Sequence, residues 1–284
     1  MQRQDVADDD PNGVSHPMGA AVVAGAETTI GTAIVRAFDE RGWPVVGIVG
    51  PAADRSAVES AGCSMVLDEH PPDGIDDRFE RVAARYGRIA CLVTGPGSGR
   101  FDAVEDAGDV GLAESLDVNV RAPTRLIRAA LPHMRYVEDG RIVVLTDVAA
   151  RLSLPGWGTY SASMAGLAAL TDAVRLEVAD RGIEVVRIET RLLGHDAPRE
   201  PVGSSRTGAY PELEQLAGDL AAVGGPLLRT TPATIASAVV DAASAGDPAG
   251  RRAVGTVARI IGVAALLPPR IRDPLIRLAV RVMT

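Results

Sequence analysis

Six short apolar runs, each separated from the next by a longer segment, constrain this chain more than any other feature. They are AAVVAG at 20–25, PVVGIVG at 44–50, SMVLD at 64–68, IACLVTG at 89–95, RIVVLTD at 141–147 and IEVVRIE at 183–189. Their apolar residues are continuous rather than alternating, the pattern of strands buried on both faces. Helical patterns fill the intervals, at roughly 28–42, 54–61, 75–86, 109–135 and 158–181. Repeated strand–helix units predict an α/β fold: a single-domain doubly wound parallel sheet with helices on both faces. Ligands of such sheets bind at the carboxyl ends of the strands.

With 284 residues, 46% of them hydrophobic, the chain can bury the core of one large domain. Its formal charge of -8 argues against nucleic acid as a partner, because neutralising phosphates needs a basic surface. All 29 basic residues are arginines. That excludes a lysine Schiff base, a lysine general base and a P-loop lysine. Cys63 and Cys91 belong to no metal-ligand spacing and lie in strand-like runs, where buried free thiols are expected. No metal site is expected. Residues 1–17 read as a disordered acidic extension rather than a signal peptide.

The domain is expected to run from 18 to 284. Within it, about 190–225 is a Pro- and Gly-rich lid, followed by a helix near 231–245 and a short strand near 252–255. The apolar stretch from Ala253 is interrupted by Arg259, so no stable membrane insertion is expected, and the location expected is cytoplasmic. The tail at about 268–283 reads as an amphipathic helix. Arg277 and Arg281 fall on one face, and Leu275, Ile276, Ala279, Val280 and Met283 on another. Packing against its own domain or a subunit partner, or covering the cleft, is expected ahead of contact with a membrane surface.

The first strand runs into VAGAETTIGTAIV, where Gly25 and Gly31 flank a turn into a helix. Such a turn presents backbone N–H groups to a pyrophosphate. Further landmarks follow in order: LVTGPG at 92–97, DVNVRAP at 117–123, the strand ending Thr146-Asp147, and PGWGTYSASMAGLAAL around Tyr160. Taken together, these segments resemble the short-chain dehydrogenase/reductase family from about residue 18 to 190. They correspond to its TGxxxGIG turn, its LVNNAG strand end, its asparagine helix, its serine strand and its YxxxK helix. The resemblance implies a Rossmann-like fold and a dinucleotide held near Gly25, Thr29, Ile30, Gly31, Asp68 and Gly95. It implies a site of Asn, Ser, Tyr and Lys, and a homodimer or homotetramer built on the helices at 109–135 and 158–181.

Several family positions are altered. Asn119 and Tyr160 are retained, but Asp147 stands for the serine and Met164 for the lysine. Thr29 replaces the middle glycine of the turn. Val49-Gly50 ends the second strand without the acid or base that reads the adenosine ribose. Thr190-Arg191 replaces a proline–glycine pair. A thioether cannot hold a ribose or lower a phenol's pKa, and a nearby carboxylate keeps a tyrosine protonated.

The leading expectation is therefore non-redox acid–base chemistry on a small apolar carbonyl or hydroxyl compound in a biosynthetic pathway. Tyr160 would be the proton donor and Asp147 the base, with Thr146 able to stand in for the serine and Asn119 organising the helix. Trp157 and Met164 would line an apolar pocket, and His195 would reach it from the lid. No cofactor is required in that reading. The alternatives are an NAD- or NADP-dependent oxidoreductase with an atypical site, and a non-catalytic homologue that binds a ligand or supports a partner subunit.

Overall fold

A computed structural model describes residues 19–95, 97, 99, 101–192, 208–210, 213 and 230–283. The N-terminal extension, His195 and nearly all of the expected lid beyond 192 lie outside the described residues.

The six apolar runs form β1 (Ala20–Ala24), β2 (Val45–Val49), β3 (Cys63–Asp68), β4 (Ile89–Thr94), β5 (Gly140–Asp147) and β6 (Ile183–Thr190). A three-residue β7 (Arg251–Ala253) completes one parallel sheet in the order β3-β2-β1-β4-β5-β6-β7. Alternation along each strand feeds two cores. Ala21 and Val23 of β1 join Ile34, Phe38, Ile235 and Val239 on one face. Ala20 and Val22 join Phe79, Ile127 and Leu167 on the other. Burial on both faces explains why the strands read as unbroken apolar runs.

The first face is covered by α1 (Thr29–Asp39) and α7 (Pro232–Ser244), the second by α3 (Ile75–Tyr86), α5 (Ala122–Val137) and α6 (Gly158–Glu177). The shorter α2 (Arg55–Ser60) and α4 (Asp109–Leu116) precede β3 and α5. The chain closes with α8 (Thr256–Ala264) and α9 (Pro269–Met283). No helix among the described residues is long and apolar enough to cross a membrane. Strand order reverses between β1 and β4, so their carboxyl ends diverge and open a crevice.

The single helix expected over 109–135 is broken. Residues Asp117–Arg121 form a π turn, closed by the Ala122 amide donating to the Asp117 carbonyl. Pro123, at the start of α5, has no N–H to donate to the carbonyl of Asn119. A regular turn would lack that hydrogen bond, and the wider turn sits where it would have been. Such turns tend to mark functional positions.

At the carboxyl end of β6, Glu189 is 1% exposed and gathers three arginines. Arg151 Nε lies 2.8 Å away, Arg187 Nη1 3.0 Å and Arg251 Nε 2.9 Å. Arg187 also reaches Asp172 of α6 at 3.1 Å, and its Nε is buried without a partner among the described residues. Burial pulls the Arg187 guanidinium below its ordinary range, with Glu189 and Asp172 acting against that shift. The cluster ties β6, β7 and α6 to the segment just past Asp147.

Both cysteines are buried in the sheet. Burial pushes each thiol up to about 12. Since the thiolate is the reactive form, iodoacetamide should label neither in the folded protein at mildly alkaline pH and both in urea. Mass spectrometry would read the difference.

Candidate active site

The turn after β1 is built around two glycines with different duties. Gly25 has φ +65°, a left-handed conformation that favours glycine. Gly31 lies so close to the Gly25 carbonyl that a Cβ there would sit 1.9 Å from its oxygen. Thr28 locks the turn: its hydroxyl donates to Gly25 O at 2.8 Å and accepts from Gly31 N at 2.9 Å, capping α1. Thr29, expected in the cradle, is instead exposed at the first position of the helix.

A cleft of about 230 Å³ runs from this turn along the carboxyl ends of the strands to Tyr160. Gly25, Ile30, Gly31 and Gly95 line it, together with Glu27, Glu69, Thr94 and Leu192. Gly95 is needed at the wall, since a Cβ there would lie 2.8 Å from Leu145 Cβ. The Thr94 hydroxyl is buried and has no hydrogen-bond partner among the described residues. Asp68 faces elsewhere: it is exposed and pairs with Arg55.

Two carboxylates at the turn end of the cleft were missed from the sequence. Glu27 Oε1 accepts from the Gly50 amide at 2.9 Å, placing an acid at the exit of β2. Glu69 follows β3, and burial raises its carboxyl above the usual range, with Glu27 among the charges that add to the shift. The sign that could have revealed Glu27 is an acid inside a glycine turn that otherwise invites anions.

At the other end, Tyr160 is buried, with the Asp147 carboxylate acting on its phenol. Burial first, and the Asp147 charge second, hold the phenol well above its ordinary pKa. Asp147 is anchored by two backbone amides. Its Oδ1 accepts from Ala149 N at 2.7 Å, capping a 3₁₀ turn over Val148–Ala150, and its Oδ2 accepts from Leu192 N at 2.7 Å. Each carboxylate oxygen thus accepts one backbone N–H, which fixes the orientation of Asp147 beside Tyr160.

The remaining residues fall around this pair. Thr146 is buried on the opposite side of β5, its hydroxyl 3.5 Å from the Ile188 carbonyl, because successive strand residues point to opposite faces. It is not brought to Tyr160. Met164 is fully buried against Ala149 and Tyr160 and does not line the cleft. Trp157 packs on the Tyr160 ring at 5.7 Å and on Phe101 at 5.2 Å, outside the cleft lining. Asn119 is buried in the π turn. Its Oδ1 accepts from Gly97 N at 3.0 Å, and its Nδ2 donates to Ser163 Oγ at 3.0 Å. Ser163 in turn donates to the Tyr160 carbonyl at 2.8 Å. Asn119 thus joins the loop after β4 to the tyrosine helix, and Ser163 is a third residue the sequence reading passed over.

The cleft suits a dinucleotide at its turn end. A tight glycine cradle, the N-terminus of α1 and an orphaned hydroxyl at the end of β4 are suitable partners for phosphates and ribose. Met164 stands where the family resemblance implies a lysine, and among the described residues no cation lines the cleft.

Comparison with known proteins agrees with this geometry. A family model described as short chain dehydrogenase matches residues 19–196. The 3-oxoacyl-[acyl-carrier-protein] reductase FabG of Escherichia coli is 27% identical over 197 residues, covering 68% of this chain and 81% of its own. Oxidoreductase UcpA of Escherichia coli is 28% identical over 172 residues, or 58% of this chain and 65% of its own. Among solved structures, a short-chain dehydrogenase from Streptomyces avermitilis has a TM-score of 0.72 at 27% identity, covering 90% of this chain and 95% of its own. A metagenomic short-chain oxidoreductase in complex with NADP has a TM-score of 0.62 at 23% identity, covering 83% and 96%. These relatives are reductases and oxidoreductases, so the comparison favours the redox alternative over the cofactor-free chemistry expected first.

Proposed function

Because the chain belongs to the short chain dehydrogenase family, we propose that it is an NAD-linked oxidoreductase that reduces a small apolar carbonyl compound slowly. The observation that carries this reading is the continuous cleft from the Gly25–Gly31 turn past the unpartnered Thr94 hydroxyl to the Tyr160 ring. NADH, when bound, would supply the hydride and become NAD+.

The chain's own residues do the rest. Amides of the turn and the N-terminus of α1 receive the phosphates. Thr94 satisfies its buried hydroxyl against the bound group. Tyr160 carries its proton throughout the working pH range, since its pKa is raised. It therefore serves as a donor to a substrate oxygen and not as a base. That polarity favours reduction of a carbonyl over oxidation of an alcohol, which needs a phenolate. Asp147 holds the phenol oriented but competes with the substrate for its proton, which accounts for a slow reaction. Val110 and Leu112 of α4 and Leu176 of α6 are exposed, and we assign this face to a homodimer contact.

Calorimetric titration with NADH, followed by a screen of apolar ketones for NADH consumption, tests the proposal. Tyr160→Phe should lower turnover by about 10²–10⁴-fold with little change in NADH affinity. If NADH fails to bind while a cofactor-free activity depends on Tyr160, the redox reading is wrong.

Glu27 sets the preference between the two nucleotides. Its carboxylate at the β2 exit, with Glu69 nearby, accepts ribose hydroxyls and repels a 2′-phosphate. NADH should bind about tenfold tighter than NADPH, and Glu27→Arg should reverse the order. Equal affinities in the wild-type protein would remove Glu27 from this role.

A further inference from the structure

The last two helices leave most of their side chains exposed on this chain. Among the described residues of α8 and α9, only Ala258 is buried. Ile260, Val263 and Leu266 at one end, and Ile271, Leu275 and Leu278 at the other, are all between 52% and 79% exposed. In α9 the spacing 271, 275, 278 is that of a single helix face. These six residues form a large share of the bulky apolar side chains that the described chain turns to solvent.

The charge around them is equally distinct. Residues 256–284 contain five arginines and one aspartate, a net +4; the whole chain is -8, so the other 255 residues carry -12. Arg272 is paired with Asp273. Among the described residues, Arg259, Arg270 and Arg277 have no ion-pair partner, and Arg259, Arg270 and Arg277 are exposed. An acidic protein has concentrated bare cations and bare apolar side chains in one terminal pair of helices.

We propose that α8 and α9 form a peripheral docking surface for an anionic phospholipid bilayer. An interfacial helix buries its apolar face at the headgroup boundary while flanking arginines meet lipid phosphates. Charge decides between this occupant and a second copy of the chain. A two-fold contact would set the same patch against itself, arginine facing arginine, whereas an anionic surface is complementary along its whole length. The six apolar residues supply the insertion, and no spanning segment is needed. The acidic body of the protein is repelled by the same surface, which orients the molecule with these helices toward the lipid.

The test is co-sedimentation of the full chain with vesicles of phosphatidylcholine alone and of phosphatidylcholine with a third phosphatidylglycerol. The expected result is binding to the anionic vesicles, weakened by salt, and no binding to the neutral ones. Arg270→Glu/Arg277→Glu should weaken partitioning by about tenfold or more. Leu275→Ser/Leu278→Ser should weaken it at unchanged charge, with circular dichroism confirming that each variant folds. Two results would overturn the proposal: no partitioning onto anionic vesicles, or self-association in sedimentation that the Leu275→Ser/Leu278→Ser variant abolishes, which would make the face a subunit contact.

Discussion

Glu189→Gln should destabilise the fold by about 3 kcal/mol, the lower end of the range for breaking a buried ion pair by removing one partner. The variant keeps the shape of the side chain and takes away the charge that Arg151, Arg187 and Arg251 share. Arg187 suffers most, because it is 8% exposed and keeps only Asp172. Arg251 is 41% exposed and recovers part of its hydration, which is why the lower figure applies. Urea unfolding followed by circular dichroism measures the change. A loss below about 1 kcal/mol would show that the cluster behaves like surface pairs. Arg151 follows directly on the turn capped by Asp147, so the variant should also loosen the Asp147–Tyr160 contact.

Asp147→Ser/Met164→Lys should raise NADH-dependent turnover by about 10²–10³-fold, the scale of one preorganised electrostatic contact in an active site. Removing the carboxylate and adding an ammonium both favour the phenolate, so the Tyr160 pKa should fall as well. Serine keeps the cap on the turn over Val148–Ala150 but loses the bond from the Leu192 amide. That loss costs about 1 kcal/mol. Met164 is fully buried beside Tyr160, so its replacement by lysine alone, with Asp147 still present, should form an internal ion pair and gain little rate. Turnover and the alkaline absorbance titration of tyrosine are the two readouts. If the double variant folds and neither moves, the missing lysine and serine are not what limits this site.

The sheet could be read from the sequence because burial on both faces leaves each strand an unbroken apolar word, and β1 to β6 fall on such words. The glycine turn and the tyrosine helix were legible for a local reason: their geometry is set by residues within a few positions of one another. What the sequence concealed depends on contacts between distant segments. Asp147 is held by the Leu192 amide 45 residues away, and Glu27 reaches Gly50 across 23. Neither is visible in a motif. The π turn could have been inferred from Pro123, whose missing N–H bears on Asn119. Met164 was expected in a pocket wall, but α6 turns it into the small core beneath Tyr160. Thr28, not singled out in the sequence, caps α1, because the cap belongs to the residue before the helix.

The short β7 has a consequence for how the protein behaves at high concentration. An edge strand offers unpaired backbone groups to any other strand, and long flat edges invite sheet-to-sheet aggregation. Here that edge is three residues long and carries two adjacent arginines. Arg251 is tied inward to Glu189, and Arg252 lies 3.8 Å from Asp241 of α7. The same side chains that anchor the strand keep charge at the margin of the sheet, so an incoming strand would have to strip water from charged groups. Among the described residues, this end of a sheet of continuous apolar strands is too short and too charged to be readily extended.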